Sequence, residues 1–352
     1  MRVLERLDRL YAIGGGPGAN RLGGTREEDE AHELVAVWMR EAALEVEVDG
    51  AGNLFGRLRG RRPELPEVWT GSHLDSVPCG GRFDGALGVV GGLEAVAVLG
   101  QRERTLVVVA FRDEEGCTGP GCRGSRSLCS AWLDPVPAAF VELHVEQGPQ
   151  LADAGAPLGV VTAIAATARG EVVFEGHEGH AGTMPMPLRE DALVAAAEFV
   201  LRLRDAAAEV DGAVATVGRL AVEPGASNVI PSRVTVSVDV RAPEDERLEQ
   251  VAAVVPAELR RSRAVAMSAE PSTALLEQLA ALGLPTVELP SGAGHDAGVL
   301  AAAGVPTAML FVRSLNGGIS HSPDEHSADE DVELAVDVLK GALDRLASAV
   351  ND

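Results

Sequence analysis

The run TGSHLDSVPCGGRFDGALGVVGG, residues 70–92, sets His73, Asp75 and Asp84 among glycines directly after a strand-like segment. Imidazole and carboxylate crowded at a turn hold metal or move protons. His73 and Asp75 stand two residues apart, so in an extended segment they share a face, where a carboxylate can fix the imidazole in one tautomer. The glycines beside Asp84 let the backbone fold tightly and bring a second carboxylate to the same point. By residue type alone, Asp84 equally suits the cap of a following helix.

A second acidic group, FRDEEG, places Asp113, Glu114 and Glu115 at the end of the most apolar run in the chain. Acids abutting a buried strand repel one another unless cations compensate them. Adjacent glutamates point to different sides, so one can ligate while the other handles protons. A solvated acidic loop accommodates the same letters, because carboxylates are seldom buried. VELHVEQGP adds His144 and Gln147, GISHSPDEHS adds His321, GHEGHAGTMP carries His177 and His180, and SGAGHDA carries His295. One histidine alone is more often structural than a ligand. Five ligand-type residues at five separate strand or loop ends are harder to dismiss together as structural.

The elements that must position these residues are short apolar runs without alternation: 67–73, 105–116, 138–148, 285–297 and 305–314. Runs of that kind suit parallel strands buried on both faces. Helical patterns lie between them at 28–44, 86–99, 272–282 and 329–349. Strands alternating with helices predict an α/β domain with a mixed, mostly parallel sheet, whose ligands gather at the carboxyl ends of the strands. The chemically rich residues fall at those ends. The middle of the chain reads differently, with a strand at 168–176, an alanine-rich helix at 188–209 and two strands within 214–243. A helix at 243–262 and a last strand at 264–270 complete it. RVTVSVDVR alternates strictly, so one of its faces is buried. The order β-α-β-β-α-β predicts an inserted α+β, ferredoxin-like unit over 166–270, interrupting a domain formed by 1–165 and 271–352.

Composition narrows the function classes. The 352 residues are 46% hydrophobic, ample for two cored domains, and the formal net charge of -23 argues against nucleic acid or an anionic membrane as partner. Lys340 is the only lysine and 3% of residues are aromatic, so platforms for stacking bases are scarce. Cys79, Cys117, Cys122 and Cys129 lack the paired spacing of a structural zinc site and read as reduced thiols. No window has the roughly 18 apolar residues of a membrane span, and the charged, leucine-rich N-terminus lacks the apolar stretch of a signal peptide. A cytoplasmic location is expected.

In this order, GSHLDSVPCGGRFDGALGV, DEEG, ELHVEQGP, GHAGTMPM, GASNVIP, DVR, SGAGHDA and ISHSPDE resemble the M20 metallopeptidase clan. Within it they resemble the amidase branch that contains N-carbamoyl-L-amino acid hydrolases and allantoate amidohydrolases. Peptidases of the clan carry a carboxylate where ELHVEQGP has His144. The resemblance implies two divalent ions per subunit, Zn²⁺, Mn²⁺, Co²⁺ or Ni²⁺. Asp84 would bridge them, with Glu115 and His321 on one and His73 and His144 on the other. It further implies Asp75 orienting His73, and Glu114 taking a proton from an activated water and giving it to the leaving nitrogen. His180 would serve the oxyanion, and Gln147, Asn228, Arg241 and His295 would bind substrate. The expected substrate is a small carbamoyl or ureido compound, and the expected assembly a homodimer whose inserted unit closes as a lid and completes the partner's site. Allantoate or ureidoglycolate hydrolysis, a clan peptidase or aminoacylase, and a non-catalytic metal-binding relative are the alternatives. The chain departs from the family in being shorter, near the N-terminus and around 255–285, and in the cysteine- and glycine-rich GCTGPGCRGSRSLCS that follows the two glutamates.

Overall fold

The computed structural model describes residues 2–130, 133 and 135–349. Two compact units divide the chain: Met1–Thr162 with Ala266–Leu289 and Gly294–Asp352, and Ala163–Val265 with Pro290–Ala293. The chain opens with α1 (Val3–Tyr11), α2 (Arg26–Glu41), β1 (Glu45–Val48), β2 (Leu54–Leu58), β3 (Val68–His73) and α3 (Ala86–Leu99). Next come β4 (Leu106–Phe111), α4 (Arg123–Ser130), β5 (Ala139–Val145), α5 (Gln150–Asp153) and β6 (Leu158–Ile164). The middle supplies β7 (Ala166–Glu175), α6 (Ala192–Ala208), β8 (Val214–Thr216), β9 (Leu220–Glu223), β10 (Arg233–Ala242), α7 (Asp245–Ala252) and β11 (Arg260–Ser262). The chain ends through β12 (Val265–Ala266), α8 (Ala269–Ala281), β13 (Glu288–Ser291), α9 (Asp296–Ala302), β14 (Thr307–Val312) and α10 (Asp329–Ser348).

The sheet of the first unit runs β1-β2-β4-β3-β5-β14-β6. Its centre, β4-β3-β5-β14, is parallel, and β1, β2 and β6 join antiparallel. Every residue of β3, β4, β5 and β14 is buried, which is why their sequences are apolar without alternation. Helix α3 is apolar on all sides and buried from Ala86 to Val96, as expected of a helix enclosed by a core. Leu87, Val90 and Leu93 of α3 join Val108, Val141 and Leu310 of the strands and Leu339 and Leu343 of α10 in one apolar cluster. The mixed, mostly parallel α/β architecture is the one the pattern predicts.

The second unit has the order β7-α6-β8/β9-β10-α7-β11 and an antiparallel sheet, β11-β7-β10-β8, with β9 pairing farther along β10. Val234, Val236, Val238 and Val240 of β10 pack with Phe199 and Leu203 of α6 and Leu248 of α7. Thr235, Ser237, Asp239 and Arg241 therefore occupy the opposite face.

Several boundaries differ from the sequence reading. The helix expected over 243–262 stops at Ala252, ahead of Pro256, which cannot continue it. The strand that closes the β7-β10 sheet lies at Arg260–Ser262, and the expected strand over 264–270 is reduced to β12 (Val265–Ala266), which pairs with β6. Helix α8 starts at Ala269 with Pro271 in its first turn, where proline is tolerated. The run 285–297 is strand only to Ser291, and α9 begins at Asp296. The strands β1 and β2 went unrecognised, since EVEV carries two acids at an edge and LFGRL is broken by a glycine.

Candidate metal centre

The proposed ligands collect beyond the carboxyl ends of the central strands. His73 closes β3, Asp113–Glu115 follow β4, His144 stands near the end of β5, and His321 lies between β14 and α10. Asp84 sits just ahead of α3, in the midst of them. Its Oδ1 is 3.3 Å from His144 Nε2 and 3.9 Å from His73 Nε2, and its Oδ2 is 3.4 Å from His321 Nε2. Glu115 Oε2 is 3.6 Å from His321 Nε2. Two groups of ligand atoms result, His73–Asp84–His144 and Asp84–Glu115–His321, each within 4.8 Å and sharing Asp84.

Local contacts aim these side chains. His73 Nδ1 donates to the Asp75 carbonyl at 3.1 Å and His144 Nδ1 to the Val145 carbonyl at 2.9 Å, so both Nε2 atoms turn to Asp84. The Asp75 carboxylate lies 3.5 Å from His73 Nδ1 and accepts the backbone N–H groups of Glu114 and Glu115, each at 3.0 Å. One buried acid thus braces the imidazole and fixes the turn that carries both glutamates. The glycines have a physical reason as well. Gly85 has φ +63°, and a Cβ there would come within 2.3 Å of His73 Cε1; a Cβ on Gly81 would lie 2.1 Å from the Glu325 carboxyl carbon.

Glu325 is a site residue the sequence reading missed, although it stands inside the quoted ISHSPDE. Its Oε1 accepts the N–H groups of Phe83 at 2.7 Å and Asp84 at 3.2 Å, and its Oε2 accepts Ser320 Oγ at 2.8 Å, tying the Asp84 turn to the His321 loop. Glu142 was missed too. It accepts Ser72 Oγ and the Ala297 N–H and approaches His144 and His295. Cys122, in the loop that departs from the family pattern, donates its thiol to Glu114 Oε1 at 3.1 Å. No spacing rule reaches the partners of Glu325 at Phe83 and Asp84 or those of Glu142, which are distant in sequence. Cys122 stands eight residues from Glu114, and the turn between them brings the thiol onto the carboxylate.

The electrostatics show what the cluster lacks. Burial and the Asp84 charge push the Glu115 carboxyl up to about 8, and burial likewise raises Glu114. Burial alone would lower His144, but Asp84 holds it at about 9. Burial would raise Asp84, and the surrounding imidazoles His144, His73 and His321 outweigh it and bring the carboxyl below its ordinary range. Protons stand in for positive charge here. His144 Nε2 and Glu115 Oε1 are buried with no hydrogen-bond partner. Unpartnered ligand atoms among imidazoles and carboxylates fit divalent transition-metal ions, which would displace those protons.

Of the other expected residues, Gln147 and His295 belong to this cluster. Gln147 Nε2 donates to Asp84 Oδ2 at 3.2 Å and to Ser320 Oγ at 3.1 Å, and the His295 ring centroid is 4.5 Å from that of His144. His180, Asn228 and Arg241 lie in the second unit. His180 and Asn228 are exposed neighbours, linked by the Ala181 N–H bond to the Asn228 carbonyl. His180 Nδ1 accepts the Gly182 N–H at 3.0 Å, whereas His177 is engaged by Glu190 at 2.6 Å.

A mostly parallel α/β sheet with a cluster of imidazoles and carboxylates at its strand ends defines a metal-dependent hydrolase class. The family model described as peptidase family M20/M25/M40 matches residues 69–345, and the chain belongs to that family. An N-carbamoyl-L-amino acid amidohydrolase of Geobacillus stearothermophilus is 38% identical, with 98% of each chain covered. An allantoate amidohydrolase of Bacillus subtilis is 33% identical over 96% of this chain and 95% of its own. Among solved structures, an amidase of the hydantoinase/carbamoylase family from Burkholderia multivorans superposes with a TM-score of 0.90 at 33% identity, covering 99% of this chain and 98% of that one.

Proposed function

We propose that this protein is a binuclear-metal amidohydrolase that converts an N-carbamoyl-L-amino acid and water to the L-amino acid, CO2 and NH3. The observation that carries the reading is the pair of ligand groups sharing Asp84 beside a second, non-ligating glutamate, Glu114. Similarity to carbamoyl amino acid amidohydrolases over nearly the whole chain supports the substrate class.

His73, Asp84, His144, Glu115 and His321 would hold the two ions, Zn²⁺, Mn²⁺, Co²⁺ or Ni²⁺. Cations bound there supply Lewis acidity for the carbamoyl oxygen and for water. Glu114 Oε2 lies 3.9 Å from His73 Nε2 while Oε1 is engaged by Cys122, so one oxygen is left to receive a proton from water and return it to the leaving nitrogen. Burial keeps this carboxylate basic, which suits both halves of the transfer. Asp75 keeps His73 and the glutamate turn in register. Gln147 and His295 bind the ureido end. His180 donates to the oxygen that gains charge as the carbonyl carbon becomes tetrahedral, and Asn228 and Arg241 receive the amino acid portion, Arg241 by its planar fork.

The second unit acts as a lid and dimerisation element in this reading. Exposed Leu193, Val194 and Leu201 on α6 and Leu220 on β9 support a homodimer formed through it. Four free cysteines accord with a reducing, cytoplasmic setting. Among the described residues no helix is long and apolar enough to cross a membrane.

Ammonia release is the test, measured on N-carbamoyl-L-amino acids, allantoate, ureidoglycolate, N-acetyl amino acids and dipeptides with each metal restored in turn. Turnover of carbamoyl amino acids is expected. Turnover of allantoate alone keeps the chemistry and changes the substrate, and hydrolysis of dipeptides alone overturns the reading.

A further inference from the structure

Arg241 points outward on β10 from the face opposite α6 and α7, and it is already engaged. Its Nε donates to Asp239 Oδ1 at 3.0 Å, its Nη2 to Asp239 Oδ2 at 3.0 Å, and its Nη1 to the Gly292 carbonyl at 2.8 Å. A guanidinium offers five N–H groups in a rigid plane. Asp239 takes the edge formed by Nε and Nη2, and Gly292 takes the Nη1 hydrogen on the opposite flank. Two hydrogens remain, one on each terminal nitrogen, side by side along the outer edge. That edge matches the two oxygens of one carboxylate. Arg241 and Asp239 line a cavity of about 690 Å³ together with Arg169, Arg219 and Ser237.

We propose that Asp239 is a positioning residue for substrate recognition, turning a single bidentate edge of Arg241 to the α-carboxylate of the ureido substrate. The inference rests on the function proposed above and adds what selects the geometry. Asp239 and Arg241 alternate on one strand face, i and i+2, so their spacing is set by β10 itself. Arg169, facing them from β7 in register with Asp239, donates Nε to Asp239 Oδ2 at 3.0 Å and holds the carboxylate from its other side. Two guanidiniums sharing one carboxylate leave a single net positive charge, which one carboxylate neutralises. Arg219 is paired with Glu171. A carboxamide presents one oxygen and an NH2 group to the same edge and forfeits a charged hydrogen bond.

The substitution Asp239→Asn keeps the shape and replaces one acceptor by a donor, so it loosens the fork without removing it. For an N-carbamoyl-L-amino acid, KM should rise ~10-fold or more with kcat nearly unchanged. For the corresponding N-carbamoyl amino acid amide, KM should stay at the wild-type value. A melting temperature near that of the wild type shows that the variant folds. Arg169→Gln, which frees Asp239 but leaves Arg241 intact, should give a smaller rise on the carboxylate substrate alone, and it decides the matter if Asp239→Asn does not fold. Equal effects on both substrates, or no effect from either variant while Arg241→Ala raises KM for the carboxylate, would overturn the positioning role and spare the proposed function. Failure of the wild type to hydrolyse any carbamoyl amino acid would remove that function itself.

Discussion

The strand-end cluster of the first unit and the arginine-bearing face of the second use charge in opposite ways. At the cluster, Asp75, Asp84, Glu114 and Glu115 crowd together with no arginine or lysine paired to them among the described residues. The buried Arg21 nearby donates to the Leu10 and Leu74 carbonyls instead, and the acids are offset through imidazoles and shifted protons. On the second unit's face, Arg169 and Arg241 share the Asp239 carboxylate directly, at 3.0 Å, and keep one net positive charge in a partly exposed setting. The first arrangement holds its acids only by shifting protons onto them and onto the imidazoles, which suits the binding of cations. The second is complete as it stands, and leaves one defined edge open for a ligand. In the proposed reading, the buried acids would hold the metal and the paired ions on the half-wet sheet would hold the substrate.

Removing the shared carboxylate should break the first region most severely. Asp84→Ala is expected to abolish both bound ions and turnover, read by metal analysis after dialysis, while the second unit keeps its fold. Glu114→Gln should retain the ions and lower kcat by about 10²–10⁴-fold, with KM little changed. Loss of metal from that variant would make Glu114 a ligand instead of a proton carrier. His180→Ala should lower kcat by about 10²-fold, the worth of one oxyanion donor, with metal content intact. Normal turnover would remove the residue from the mechanism.

A histidine outside both regions sharpens the contrast at the level of stability. His32, on α2, is buried too, but neither of its ring nitrogens has a hydrogen-bond partner, and burial with the nearby Arg112 charge pushes it down to about 3. The folded state therefore refuses a proton that the unfolded chain accepts below its ordinary value of about 6.5. Stability from this residue is full above that value and falls as pH drops toward 3, by up to about 1.4 kcal/mol per pH unit. His32→Leu should flatten that acid slope in denaturant titrations between pH 6 and 4. An unchanged slope would mean that His32 is solvated.

Much of this contrast is legible in the sequence. Apolar runs ending in HLD, DEEG and ELHVEQG specify both the parallel sheet and the end at which its chemistry collects, since buried strands and their terminal loops are written contiguously. What escapes is long-range. Glu325 reaches back to Phe83 and Asp84, and Glu142 to Ser72 and Ala297. The short edge strands escape for another reason: β1, EVEV, is mostly exposed and has no hydrophobic face to declare it. Asp239 and Arg241 are both visible in DVR, but the Gly292 carbonyl that takes a further Arg241 hydrogen is brought alongside only by folding.

The most direct test of the central claim is a metal titration of the chelator-stripped protein, with ammonia release from an N-carbamoyl-L-amino acid followed at each addition. Activity should be absent at the start and should climb to a plateau at about two equivalents of divalent ion per chain. Full activity before any metal is added, or ions bound at that stoichiometry without turnover of a carbamoyl compound, would contradict the account.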